Sequence, residues 1–289
     1  MAIAQELSMC DTYITPPCIA AMYNITQSTK AAPGNEMGIF EEGDYYDAES
    51  LVEFFATFAS HGRTQTSRRR RGTAPGAFAT GESDLDLQIS YPIIYPQNSI
   101  IFLTDDINYA LGLESRGNFL NTFFDAIDGS YCTYSAYGET RNSNIDPVYP
   151  DPLVTGYKGQ LQCGVYQPTN FISISYGKQE DDLPTNYQQR QCSEMMKLGM
   201  QGVSIVLASG DSGVAARGTD GGNSDGCLGT GEVFNTDFPA SFLYVTAVGA
   251  TYLSSDAGAT AIKRFLCHDS HLAADPPTST QLQVTKIPH

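Results

Sequence analysis

Residues 202–215 read GVSIVLASGDSGVA, and the first half of that stretch decides the fold. Within it, VSIVLASG (203–210) is a strand apolar on both faces, as expected inside a sheet that is covered on both sides. The residues before it, NYQQRQCSEMMKLGMQG (186–202), read as a helix stopped by glycine. Ahead of that, FISISYG (171–177) is a β-branched and aromatic strand. The same alternation extends toward the N-terminus. EMGIF (36–40) and SIIFLT (99–104) read as strands, while AESLVEFFATFA (48–59) and NFLNTFFDAI (118–127) repeat apolar residues at helical spacing. Strand, helix, strand with continuous apolar strands predicts βαβ units, and so an α/β fold whose parallel sheet carries helices on both faces.

The second half of the opening stretch holds Gly-Asp-Ser-Gly, a tetrapeptide that also surrounds the nucleophile of trypsin-like proteases. Those enzymes are all-β and need an upstream histidine in its own sequence context. Here only His61 precedes Ser212, and it follows a helical run; His268, His271 and His289 fall in the closing stretch. The strand–helix elbow GxSxG fails too, because Val214 stands where its second glycine would be. Ser212 therefore has no visible base. Asp211 sits just past the C-terminal end of an apolar parallel strand, where α/β sheets place catalytic groups. Asp-Ser-Gly is equally ordinary turn chemistry, so the position alone leaves both readings open.

A second constellation lies in ATGESDLDLQISY (79–91). On a helix, Glu82 and Asp86 are four apart and share one face, while Asp84 points elsewhere. Two neighbouring carboxylates raise one another's pKa, and such a pair can hold and pass a proton in acid, where a histidine would already be protonated. The alternative is a solvated acidic helix start, since carboxylates favour that end of a helix.

Composition narrows the classes. The 289 residues carry a formal net charge of −16, which repels phosphate backbones and argues against nucleic-acid partners. No apolar run reaches the ~18 residues of a membrane span. Seven cysteines contain no CxxC pair and histidines are scattered, so no metal site is expected. Asn24-Ile25-Thr26 is an N-glycosylation triplet, which with the cysteines points to an oxidising compartment. MAIAQELSMC at the N-terminus lacks the pattern of a signal peptide. Either the protein is cytosolic or its true beginning is missing.

GESDLDLQ, SISYG, GVSIVLASGDSGVA and FPASFLYVTAVGAT occur in that order, and the chain resembles the sedolisin family of serine-carboxyl peptidases, nearest in pattern to fungal tripeptidyl-peptidases. The resemblance runs from about Cys10 to about Phe265 and implies a subtilisin-like sheet. It implies Glu82 as general base, Asp86 as its orienter, and Asp211 as the carboxylic acid that donates a hydrogen bond to the tetrahedral oxyanion. It further implies that Ser175-Tyr176-Gly177 pairs with substrate backbone by strand addition. A peptide or protein substrate, secretion to the extracellular space and a folding-assisting propeptide in full-length relatives follow from the same likeness. In a secreted chain, Cys10 and Cys18 flank a short segment and are expected to form a disulfide.

The likeness is partial. The family's nucleophile is a serine in an SGTS-type motif downstream of AVGAT, and no such motif occurs in these residues. The family's calcium site lies further on still, so no cofactor is expected in this chain. Residues 1–265 are expected to form a partial peptidase domain whose C-terminal part is missing. Residues 266–289 follow no family pattern and are expected to be a disordered tail, explained by a frame change or retained intron in the gene. The basic run HGRTQTSRRRRG (61–72) also departs from the acidic rest. The chain as written is expected to be inactive; the alternative is a non-catalytic peptide-binding remnant or a gene fragment.

Overall fold

The apolar strands pair with one another; Met37–Glu42 is buried on both faces, whereas Ser204–Ala208 buries Ile205 and Leu207 and leaves Ser204 and Ala208 exposed. The computed structural model describes residues 10, 13–59, 81–104, 120–132, 160, 162–211, 227–230, 233–249, 251–253 and 264–266. The basic run, Ser212, all four histidines and the tail beyond Leu266 lie outside them. Helices run over α1 (Pro16–Met22), α2 (Ala48–Phe58), α3 (Glu82–Ile94), α4 (Asn121–Ile127) and α5 (Thr185–Met200). The strands are β1 (Met37–Glu42), β2 (Ser99–Thr104), β3 (Phe171–Ile174), β4 (Lys178–Gln179), β5 (Ser204–Ala208), β6 (Asp237–Phe238), β7 (Thr246–Val248), β8 (Thr251–Leu253) and β9 (Arg264–Leu266).

The main sheet has the order β2-β1-β3-β5-β7, and every neighbouring pair in it is parallel. Met37 registers with both Ser99 and Phe171, and Ile172 with Ile205, so the C-terminal ends of the central strands lie side by side. Successive strand residues point to opposite faces. On β1 this sends Ile39 into a cluster with Leu51 of α2 and Leu87 of α3. Its neighbour Phe40 enters the opposite cluster, with Phe123 and Phe124 of α4 and Met195 and Leu198 of α5. Helices thus cover both faces, as the sequence predicts. Phe40 is fully buried and meets Phe123 edge-on at 5.3 Å, a burial that contributes about 1.5–3 kcal/mol.

Two differences from the sequence reading bear on the site. The expected strand 171–177 stops at Ile174, because the chain then turns and Lys178–Gln179 pairs antiparallel with Asp237–Phe238. The expected helix 118–127 starts only at Asn121, after Leu120 in a left-handed conformation (φ 65°). Disulfides join Cys10 to Cys18, as expected, and Cys132 to Cys163.

Candidate active site

The start of α3 is tied down from the loop after β1. Gly81 at its N-cap has no side chain to offer the first turn, and Asp44 takes that role: its Oδ2 accepts the Ser83 amide at 2.8 Å. In return the Asp47 amide donates to Oδ1 of Asp84 at 2.7 Å. Asp84 is thereby committed to structure. Glu82 and Asp86 are left to the other side of the helix, at the C-terminal ends of the strands, which is where parallel sheets present functional groups.

Ser175, just beyond β3, donates its hydroxyl to both carboxylate oxygens of Asp86, at 2.8 and 3.0 Å. Burial pushes the Asp86 carboxyl up, and the Ser175 bond works against that by stabilising the anion. Glu82 is half-buried. Its carboxyl is also pushed up, first by burial and then by the charges of Asp86, Asp211 and Asp44. Asp211 is exposed on the loop after β5, near enough for its charge to act on Glu82. The residues singled out in the sequence, from three separate stretches, therefore meet at one end of the sheet. The Glu82 and Asp86 carboxyls, both raised, hold their protons to higher pH than isolated carboxyls do, which suits proton transfer in acid.

Beneath them lies a pair that the sequence reading missed. Glu41 of β1 is 0% exposed, and its Oε2 accepts the Tyr176 hydroxyl at 2.8 Å. Its Oε1 has no partner among the described residues. Burial pushes this carboxyl up to about 9; the Tyr176 bond opposes the rise, and Asp86, Asp44 and Glu82 add to it. Glu41 is thus a neutral acid throughout the acid and neutral range. The Tyr176 phenol is driven up as well, chiefly by burial and then by Glu41. Its ring stands edge-on to Phe40 at 5.6 Å, so the Ser175–Gly177 edge rests directly on the core. The available signal was the acid itself: a glutamate that continues an apolar, two-face-buried strand is an anomaly.

Asp237 of β6 is the other residue not foreseen. A Cβ added at Gly177 would run into its carboxylate, and one added at Gly210 (φ 80°) would stand 3.0 Å from its Cγ. The Asp237 carboxylate therefore fills the space between the Ser175–Gly177 edge and the loop that carries Asp211. Both glycines are needed for that approach, and Gly210 also for its left-handed backbone. Among the described residues no group of three or more His, Cys, Asp or Glu could hold a metal ion, and no helix is long and apolar enough to cross a membrane.

No family model matches the chain. Among curated proteins it is 53% identical over 254 residues to aorsin of Aspergillus oryzae, an alignment covering 85% of this chain and 38% of that protein. It is 51% identical over 288 residues to tripeptidyl-peptidase sed1 of Aspergillus fumigatus, covering 97% of this chain and 41% of the relative. The chain thus spans about two fifths of the length of the curated relatives it matches. Among solved structures, Pseudomonas sedolisin, a serine-carboxyl proteinase complexed with two molecules of pseudo-iodotyrostatin, gives a TM-score of 0.48 at 19% identity, covering 85% of this chain and 55% of that one.

Proposed function

The chain belongs to the sedolisin family, and on that premise we propose that it is part of a serine-type peptidase releasing tripeptides from free N-termini in acid. Glu82 is the general base: it takes the proton of the attacking serine hydroxyl and returns it to the leaving amine. Asp86 orients Glu82. Asp211 donates to the oxyanion as charge moves onto the carbonyl oxygen, a role that supplies about 2.7–4 kcal/mol in comparable donors. Ser175, Tyr176 and Gly177 present the backbone edge that takes the substrate as an added strand.

The observation that supports this reading is that the charges of Asp86 and Asp211 both act on Glu82. The nucleophile belongs to an SGTS-type motif that these 289 residues do not contain. Among the described residues no donor cluster suits the calcium ion implied by the family. Two disulfides support secretion.

A chimera tests the proposal. Residues 10–265 replace the matching segment of the Aspergillus fumigatus relative, and hydrolysis of an Ala-Ala-Phe anilide is followed in acid. The chimera should release tripeptide and lose activity with Glu82→Gln, while the 289-residue chain alone should hydrolyse nothing. A folded but inactive chimera, or a Glu82→Gln chimera of full activity, rejects the reading.

A further inference from the structure

The sequence holds one Asn-X-Ser/Thr triplet, Asn24-Ile25-Thr26, and the structure sets it in an unusual place. All three residues are exposed, directly after α1. Asn24 is left-handed, with φ 53°. Its amide donates to Ala21 O at 3.3 Å and the Ile25 amide to Ala20 O at 2.8 Å, which together close the helix as a Schellman motif with Asn24 at C′. The backbone of Asn24 is therefore explained by the cap, since asparagine tolerates this conformation better than most residues. Its side chain is not. Neither the Asn24 carboxamide nor the Thr26 hydroxyl makes a hydrogen bond to the described residues, although both groups could.

Three further facts bear on it. The Cys10–Cys18 disulfide ties down the same segment, and such bonds persist in the oxidising compartments where glycans are attached. Tyr23 and Ile25, on either side of Asn24, are 50% and 41% exposed, an apolar surface left open to water. The Gln27 side chain, just past the triplet, donates to the carbonyl of Tyr95 at the C-terminal end of α3. Glu82 and Asp86 lie toward the other end of that helix, so roughly 20 Å of helix separates the Gln27 contact from Glu82, at 1.5 Å per residue. A bulky group on Asn24 leaves the carboxyl cluster uncovered.

We propose that Asn24 carries an N-linked glycan. Its carboxamide nitrogen takes a lipid-linked oligosaccharyl diphosphate as co-substrate of the host oligosaccharyltransferase. The nitrogen forms the bond to the sugar C1, the C1–O bond to the diphosphate breaks, the lipid diphosphate leaves, and the amide gives up one proton. The glycan covers Tyr23 and Ile25 and fixes the exposed end of α1.

The test translates the full chain behind a cleavable signal peptide into endoplasmic-reticulum microsomes. Asn24→Gly keeps a residue suited to the left-handed cap and removes the acceptor; Thr26→Ala removes the triplet without touching Asn24; Thr26→Ser restores it. The expected result is a protease-protected wild-type band that runs slower and collapses on endoglycosidase H treatment. Thr26→Ser should keep the slow band, and the other two variants should run with the collapsed one. A protected wild-type chain that never shifts, or a shift that survives in Asn24→Gly, overturns the proposal and leaves Asn24 with the cap as its only role.

Discussion

The hydroxyl of Ser175 reaches across 89 residues of sequence to donate to both carboxylate oxygens of Asp86. One bond pair thus joins the edge proposed to receive substrate to the carboxylate proposed to orient the base. A peptide that orders the Ser175–Gly177 edge would at the same time hold Asp86, and through it Glu82, in place. On the proposed roles, binding and proton transfer would both depend on one hydroxyl.

Ser175→Ala should expose that dependence. The Ser175 bond lowers an Asp86 carboxyl that burial raises, so its loss should send Asp86 further up. It should also cost roughly 0.5–1.5 kcal/mol of stability, the usual net worth of such a bond. Carbon-13 titration of the Asp86 side chain reads the first effect and urea unfolding the second. An unchanged Asp86 titration would show that the contact does not govern this carboxylate.

Glu41 should make the chain an acid-stable one. In the unfolded chain this carboxyl ionises near its ordinary 4.5, and in the fold only near about 9. Between those values the folded state holds the extra proton, so stability is intact below 4.5 and falls as pH rises toward 9. One such group contributes a slope of about 1.4 kcal/mol per pH unit. Glu41→Gln cannot ionise and still offers Tyr176 an acceptor. Its urea midpoint should match wild type in acid, decline less with pH, and exceed wild type at neutral pH. Parallel curves for the two proteins would contradict the assignment.

Gly177→Ala should disturb the site without touching a carboxyl. The added methyl meets the Asp237 carboxylate and must displace it from between the edge and the Asp211 loop. Overpacking of this kind costs about 1–3 kcal/mol. In the chimera described above, the proposed peptidase should show a raised KM, because the backbone edge that pairs with substrate is moved. A variant of wild-type stability and KM would mean that Asp237 simply swings aside.

Much of this arrangement was legible in the chain, for identifiable reasons. The α3 carboxylates were visible because a spacing of four has one meaning on a helix. The sheet was visible because SIIFLT and VSIVLA cannot be solvated on either face. Glu41 escapes the sequence pattern because the stretch EMGIF (36–40) ends just before it, whereas β1 runs on to Glu42. The partner that explains Glu41, Tyr176, lies 135 residues away, beyond any local period. Asp237 was hidden for the same reason: its place is set by a two-residue antiparallel pairing that no pattern announces. α1, seven residues with proline at its start, is too short for helical periodicity to register.

Of the two polar residues in Gly-Asp-Ser-Gly, Asp211 and not Ser212 is the one proposed to do chemistry. That assignment is tested most directly by kcat and KM of two chimera variants, Asp211→Ala and Ser212→Ala, against a tripeptide anilide in acid. An oxyanion donor acts in the transition state, so Asp211→Ala should lower kcat by roughly 10²–10³ with little change in KM. Ser212→Ala should keep most of the activity, because the sequence offers that serine no recognisable base. Asp211 is not the oxyanion donor if Ser212→Ala is as inactive as Asp211→Ala, or if Asp211→Ala retains wild-type kcat.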